Sequence, residues 1–422
     1  CFKQCSKHAP SIAGGARIAD SPRAPTAGHR QHHLNKRKTK TMNLNQSYLI
    51  AAPRQSSARR PRGIVKINGT PVSFLSATVE NKSHFSADTW RVKLEAWGQP
   101  EGFGMAYWAD ATDVQVEILF GDLADGDDVS AAPTNVTSVI LGQVDDVEIN
   151  PLDGDSLIIS GRDLTARLID TRTTSKYPDH IASWIVTTIA QKFGLATNEI
   201  TPTTKVVGQY YNGAYAQLAR SIPAWDLLVF LAQQEGFDCY VHGSTLYFGP
   251  PQADTDTTPT IITVSGGMGD GIQSNVARLK LRRSLTLAQN ISVTVLSHNT
   301  WSGTLRGVAT RIGKKPATSS ASQAAERVQP YVVSIPGLSQ AEADRTANAI
   351  LLDITKFERT FEATMQGDPL LTVRRRAVIQ GTQTSFDQSY YIQQISRTLD
   401  FEGGFAMSVI GKNHSTESNP EV

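Results

Sequence analysis

Apolar and polar residues alternate with a period of two from Arg62 to about Asp170. Trp90, Val92 and Leu94 are separated by Arg91 and Lys93, and Val114, Val116 and Ile118 by Gln115 and Glu117. That is the pattern of strands with one buried face. Asn68-Gly69 and Asp153-Gly154 stand between apolar runs as tight-turn dipeptides, and no helical stretch separates the strands as a βαβ crossover requires. An antiparallel barrel or sandwich is the expectation. Within it, Asp122 to Asn135 is polar and rich in Gly, Asp and Ala, and reads as a long exposed loop.

Between Thr171 and about Gly271 the period becomes helical. Pro178-Asp179 starts a helix in which Ile181, Ile185, Ile189 and Phe193 share a face, with Gly194 just past its end. Pro223 presets the first turn of a second helix, Leu227, Leu228 and Leu231 form its apolar stripe, and Gly236 ends it. Phe237 to Val241, a His242-Gly243-Ser244 turn and Thr245 to Phe248 predict a hairpin, closed by Pro250-Pro251. From Asn275 the β signal returns with Leu279 and Leu281, then Ile291, Val293 and Val295, then a turn near Trp301-Ser302-Gly303. Gly313 to Ala325 is rich in Lys, Ser and Ala and is expected to be flexible. Ser339-Gln340-Ala341-Glu342 is a capping box with Leu338 as staple, and Ala347, Ile350, Leu351 and Ile354 give a third helix its face. Phe361 to Met365, Ala377 to Gln380, Tyr390 to Ile395 and Phe405 to Ile410 are short strands suited to a second barrel.

A chain of 422 residues exceeds what one core serves, so two to four domains are expected. With 19% charged residues, the surface falls largely to Thr, Ser, Gln and Asn, which suits β proteins and surfaces buried in assemblies, because uncharged polar groups cost less to desolvate than ions. The net charge of +2 hides an asymmetry: residues 1–41 hold nine of the 41 bases and one of the 39 acids. The remainder therefore carries 32 bases against 38 acids, a net of −6, with no basic stripe to neutralise phosphates. Two of the three cysteines, Cys1 and Cys5, also lie in that leader, which excludes a disulfide framework and leaves Cys239 as a small buried apolar residue. No apolar run approaches the ~18 residues of a membrane span. The leader has no apolar signal region, and Met42 offers a conventional start, so residues 1–41 read as translated upstream sequence or as a disordered basic arm.

Constellations that carry chemistry are sparse. His84, His180, His242, His298 and His414 each stand alone, without the i, i+4 spacing of zinc ligands. There is no Gly-x-Ser-x-Gly elbow, and no His stands near a Cys in a catalytic pattern. The glycines of Ser265 to Gly271 lack the Lys-Ser/Thr of a phosphate loop and read as a flexible joint. Asp122, Asp125, Asp127 and Asp128 are too loosely spaced for a calcium loop and read as a solvated acidic loop. Arg374-Arg375-Arg376 reads as a strand-edge charge cluster that discourages edge pairing. A pair of acids for glycoside hydrolysis needs only to meet in space, so that reading stays open. No catalytic, cofactor-binding or metal-ligating residue is assigned.

Three phrases, in this order, resemble a known family. Ile159-Ser160-Gly161-Arg162-Asp163-Leu164-Thr165 closes the first β domain. Ile189-Ala190-Gln191-Lys192-Phe193-Gly194-Leu195 ends the first helix of an insert. Trp225-Asp226-Leu227-Leu228 through Leu231-Ala232-Gln233-Gln234-Glu235-Gly236-Phe237, followed by Thr245-Leu246-Tyr247-Phe248, forms its second helix and hairpin. Together they are similar to the baseplate hub proteins of phage tails, including the late control protein D group, over roughly Arg62 to Lys412.

The resemblance implies a mainly β (α+β) fold with two tail-tube-like antiparallel β-barrel domains and a small inserted α/β domain, an architecture shared with type VI secretion spikes. The expected division is an N-terminal arm at 1–60, a first barrel at 61–170, the insert at 171–275, a second barrel with a helix at 276–412, and a tail at 413–422. It further implies a non-enzymatic homotrimer that joins a six-fold tail tube or distal tail protein to a three-fold spike or tip. The tape-measure C-terminus would lie in the lumen, DNA would pass only transiently, and this chain would not insert in a membrane. Its place would be the virion tail baseplate, assembled in the host bacterial cytoplasm. The rival reading is a carbohydrate-binding or wall-degrading tail component. Trp97, Phe103, Tyr107 and Trp108 are candidates for a protruding contact loop or, equally, for core aromatics.

Overall fold

The computed structural model describes residues 60–413 other than 84, 96–98, 101, 124–135, 151–155, 174–176, 178, 205, 207–221, 252–257, 267–271, 286–290, 300–302, 312–328 and 336–337. The N-terminal lobe comprises β1 (Arg60–Ile67), β2 (Thr70–Val72), β3 (Phe74–Lys82), β4 (Thr89–Glu95), α1 (Met105–Asp110), β5 (Gln115–Leu123), β6 (Val136–Asn150) and β7 (Ser156–Asp163). The insert follows as α2 (Thr165–Asp170), β8 (Arg172–Thr173), α3 (Ala182–Lys192), β9 (Ala196–Ile200), β10 (Ile222–Pro223), α4 (Ala224–Glu235), β11 (Asp238–His242) and β12 (Thr245–Gly249). The C-terminal lobe begins with β13 (Thr260–Ser265), β14 (Gln273–Ser274), β15 (Arg278–Arg283), β16 (Ile291–Asn299), β17 (Gly303–Arg311) and β18 (Gln329–Ser334). It ends with α5 (Gln340–Thr355), β19 (Arg359–Gln366), β20 (Arg376–Gln380), β21 (Ser389–Asp400) and β22 (Gly404–Lys412).

Local chemistry explains most of these boundaries. Asn68 and Gly69 both take positive φ, 48° and 83°, which closes the β1–β2 hairpin at Ile67 and Thr70. Gly194 and Gly236 take the left-handed conformation past α3 and α4. In α3, Ile185, Val186 and Ile189 are buried, and in α4 Leu227, Leu228 and Leu231 are buried, so each stripe meets the β11–β12 hairpin in one core. Cys239 lies in that core, where burial pushes its thiol pKa up, which leaves it a neutral apolar filler.

The mainly β expectation holds, with differences in detail. The two β units are not separate: one 14-stranded sheet runs through both, because β21 pairs with β3 from Gln394↔Lys82 to Asp400↔Ser76. The C-terminal lobe is not wholly antiparallel, since β13 runs parallel to β20. That pairing also draws β13 and β14, which the sequence assigns to an insert ending at residue 275, into the large sheet. Periodicity cannot tell which sheet a short strand joins. Within residues 276–412, Ala343 and Ala347 of α5 pack on Ile291, Val293 and Val295 of a three-stranded sheet, β17-β16-β18, that is not part of the large sheet. The side chain of Glu342 lies outside the described residues, as do residues 1–59, Asp153-Gly154, most of the Asp122–Asn135 loop, Gly267–Gly271 and Gly313–Ala325. No described helix is long and apolar enough to cross a membrane.

Candidate functional site: doubled β-lobes and their junction

The two lobes are built on one plan. In the N-terminal lobe the strands lie in the order β1-β5-β6-β7-β4-β3, with β2 folded back on β1. In the C-terminal lobe they lie in the order β13-β20-β21-β22-β19-β15, with β14 folded back on β13. Counting only these six strands along the chain, each lobe has the spatial order first, fourth, fifth, sixth, third, second, although the first runs antiparallel to the fourth in the N-terminal lobe and parallel to it in the C-terminal lobe. The registers agree as well. Val79, Trp90, Gly161 and Val144 form one row across β3, β4, β7 and β6. Leu281, Phe361, Gly411 and Ile392 form the same row across β15, β19, β22 and β21.

Packing gives the reason for the shared glycine. A Cβ on Gly161 would collide with the backbone oxygen of Gln143 and the Trp90 ring, and one on Gly411 would collide with the Phe361 ring. Each lobe therefore seats a large aromatic across a bare backbone position, worth about 1.5–3 kcal/mol of apolar burial per ring. A hydrogen bond two residues past the glycine also repeats: Asp163 N donates to Asp88 O at 3.0 Å, and Asn413 N to Arg359 O at 3.1 Å. In both lobes, too, the fifth strand bulges where its pairing with the fourth ends, between Val144 and Asp146 and between Ile392 and Gln394.

The junction between the lobes is polar and buried. Arg397 of β21 is 1% exposed. Its Nε donates to Asp368 O at 2.9 Å, one terminal nitrogen to Asn81 Oδ1 at 2.5 Å and the other to Leu371 O. Asn81 Nδ2 in turn donates to Asp88 Oδ2 at 2.7 Å, and Lys82 N to Asp88 Oδ1 at 2.7 Å. Burial raises the Asp88 and Asp163 carboxyls above the ordinary value, and for Asp163 the nearby Asp88 charge adds to the shift. Burial also pulls Arg397 down to about 10, so it stays cationic at neutral pH. Thr78 and Thr398 hydrogen-bond across the seam at 3.1 Å.

The insert is fastened to the same place. Trp225 Nε1 of α4 donates to Phe85 O at 2.8 Å, in the turn between β3 and β4. Arg374 stacks over the Tyr240 ring at 3.0 Å from its centroid, tying the loop before β20 to β11. Arg162 reaches Asp145 Oδ2 at 2.6 Å and Asp170 Oδ2 at 2.8 Å, fixing the bend from β7 into α2. Asp163 accepts from Thr165 N at 3.2 Å and Oγ1 at 3.0 Å, which starts α2. The turn Ser83–Asp88, the loop Asp368–Arg375 and the insert thus converge on one buried polar node.

No family model matches the sequence, and no curated protein matches it significantly. Among solved structures, the tail protein from Neisseria meningitidis MC58 is similar with a TM-score of 0.60 at 15% identity, over 85% of this chain and 99% of that one. The 43 kDa tail protein of prophage MuSo2 from Shewanella oneidensis is similar with a TM-score of 0.56 at 14% identity, over 83% of this chain and 98% of that one. The chain has the phage tail-protein fold.

Within that fold the residues singled out from sequence fall as follows. Trp108 is buried in the N-terminal lobe and Phe103 and Tyr107 pack against it, so these three are core aromatics rather than a protruding loop; Trp97 lies outside the described residues. The basic triplet is not an edge cluster, because β20 lies between β13 and β21 and Arg374 is stacked on the insert. His180 stacks on Trp184 at 3.7 Å, and His84 and His414 lie outside the described residues, as do Asp125, Asp127 and Asp128. Among the described residues no group of His, Cys, Asp and Glu is placed to hold a metal. Sequence reasoning missed the Arg397–Asn81–Asp88 node. Its only linear signal is a charged residue inside the apolar alternation of β21, Ile392, Ile395, Leu399.

Proposed function

We propose that the chain is the structural hub at the end of a phage-type tail. Three copies form a ring in which two β-lobes per copy present six tube-like units to a six-fold tail tube or distal tail protein, while the other face receives a three-fold spike or tip. The observation that carries this reading is the doubled plan: one chain holds two β units of the same strand order, with matching registers over four strands of each, joined where β3 of one pairs with β21 of the other. A trimer of such a chain meets six-fold symmetry with six similar units. The channel passes genome, the tape-measure C-terminus ends in it, and the net of −6 outside the leader disfavours gripping DNA. The function is mechanical, and no catalytic step is assigned.

The test is the mass of the purified chain together with electron microscopy of particles carrying it. A trimer with each contact burying more than ~1,000 Å², found at the tail end and bound by tube and spike proteins, is expected. A monodisperse monomer indifferent to both overturns the reading. So does peptidoglycan turnover that a single Asp or Glu substitution abolishes.

A further inference from the structure

The joint between the lobes has a counterpart that the described residues leave open. In the C-terminal lobe β20 pairs with β21 only as far as Tyr391; beyond the bulge, the same edge of β21 takes β3 of the other lobe. In the N-terminal lobe β5 pairs with β6 only as far as Gln143. Beyond that bulge the equivalent edge, Asp146 to Asn150, carries no strand among the described residues. The strand that corresponds to β3 is β15. It pairs with β19 on one side, and its other side carries no described strand.

The two open edges are opposite in charge. β15 reads Arg278-Leu279-Lys280-Leu281-Arg282-Arg283, with Arg278, Lys280, Arg282 and Arg283 exposed. The β6 segment reads Val144-Asp145-Asp146-Val147-Glu148-Ile149-Asn150, with Asp146, Val147 and Glu148 exposed. A base-rich edge ordinarily discourages strand pairing, and two β15 edges would repel each other. Against an acidic edge the same charges become selective. Glu148 lies 3.5 Å from Arg91, both side chains largely exposed at 66% and 60%, a contact weak enough to exchange for another.

We propose that β15 of one copy adds antiparallel to the β6 edge of a second copy, in the register that β3 and β21 use within the chain. Within the chain Glu80 faces Ser396 and Val79 faces Arg397. Row for row, Arg282 and Leu281 stand where Glu80 and Val79 stand, and Glu148 and Ile149 stand where Ser396 and Arg397 stand. Arg282 therefore meets Glu148, Leu281 meets Ile149, and Arg283 meets Val147 between the two acids. The contact is head to tail, so it closes into a ring when the rotation allows. If each joint, within or between copies, turns the sheet equally, three copies complete six steps. The inference rests on the hub reading and supplies its subunit contact.

Charge reversal and cross-linking test it. Lys280→Glu with Arg282→Glu is expected to weaken trimer assembly at least tenfold, as is Asp146→Lys with Glu148→Lys, while all four changes in one chain restore it. All four positions lie on the β15 and β6 edges, and an unchanged unfolding midpoint checks that each variant folds. In a chain with Cys1→Ser and Cys5→Ser, Arg282→Cys with Glu148→Cys should give oxidised bands up to three linked copies. Mixed single variants should give only linked pairs. A wild-type trimer that ignores both reversals and forms no 148–282 link overturns this pairing while leaving the hub reading intact. A wild-type monomer that also fails to join tails overturns both.

Discussion

The two β-lobes share strand order, and register over four strands, yet fill the shared frame differently. In the N-terminal lobe Trp90 lies against Gly161 and Gly142; in the C-terminal lobe the smaller Phe361 lies against Gly411 and packs edge-on to Tyr390 at 5.2 Å. Volume lost from one strand is returned by its neighbour, as close packing requires. The residue after the glycine is Arg162, partly exposed and paired with two acids, in one lobe and fully buried Lys412 in the other. The next is Asp163 in one and Asn413 in the other. The fifth strand carries Arg397 buried at a filled edge in one lobe, where the other has Ile149 at an edge that no described strand covers. What persists is the frame of the four aligned strands; among the positions compared, Arg397 and Ile149 differ with whether a described strand covers them.

The largest effect expected from breaking this comparison is at Arg397. Arg397→Met strands the acceptors on Asp368, Leu371 and Asn81, and should cost about 3–5 kcal/mol in denaturant unfolding. Ile149→Ala, at the corresponding position, should cost well under half of that in the monomer. A comparable loss at both sites would mean that edge coverage does not set the difference.

The glycines come next. Gly161→Ala should cost about 3 kcal/mol, because its Cβ meets backbone, and Gly411→Ala about 1–2 kcal/mol, because its Cβ meets a ring that can shift. The reverse order in calorimetry would show that the Gln143 backbone yields more readily than Phe361.

Asp163→Asn gives the N-terminal lobe the amide that the C-terminal lobe already has. The folded Asp163 carboxyl titrates above its unfolded value of about 3.9. Its contribution is therefore fully present below that pH and is lost as pH rises through the raised folded value. Urea midpoints at pH 5 and pH 9 should fall less for Asp163→Asn than for the wild type; an equal fall refutes the assignment. Smallest of all, Glu117→Gln removes a 2.9 Å pair with Lys66 on half-exposed side chains. It should cost no more than about 0.5 kcal/mol, a difference that 0.5 M salt erases.

The strands, the two long insert helices, α5 and the hairpin turns were legible in sequence because each rests on local chemistry: alternation of two, apolar recurrence near four, Asn-Gly at positive φ, Gly past a helix end. The phrase Gly161-Arg162-Asp163 stood out from sequence, but its repetition as Gly411-Lys412-Asn413 did not, because it becomes a match only when the registers align Trp90 with Phe361. The short helices α1 and α2 were not foreseen, being too brief to show a period. Trp108 illustrates the limit: an aromatic beside glycines fits a contact loop or a core equally well until its neighbours are known.

The amino-acid sequence alone determined the longer elements and the β-rich class, since each follows from residues close together in the chain. Only the tertiary structure decided that β13 joins β20, that α5 covers a sheet of its own, and that β3 and β21 fuse two lobes of one plan around Arg397. Those are partnerships between residues up to hundreds of positions apart, such as Asn81 with Arg397. Backbone hydrogen bonding lets any strand edge accept any other, so the choice among edges is made by packing and buried charge in three dimensions.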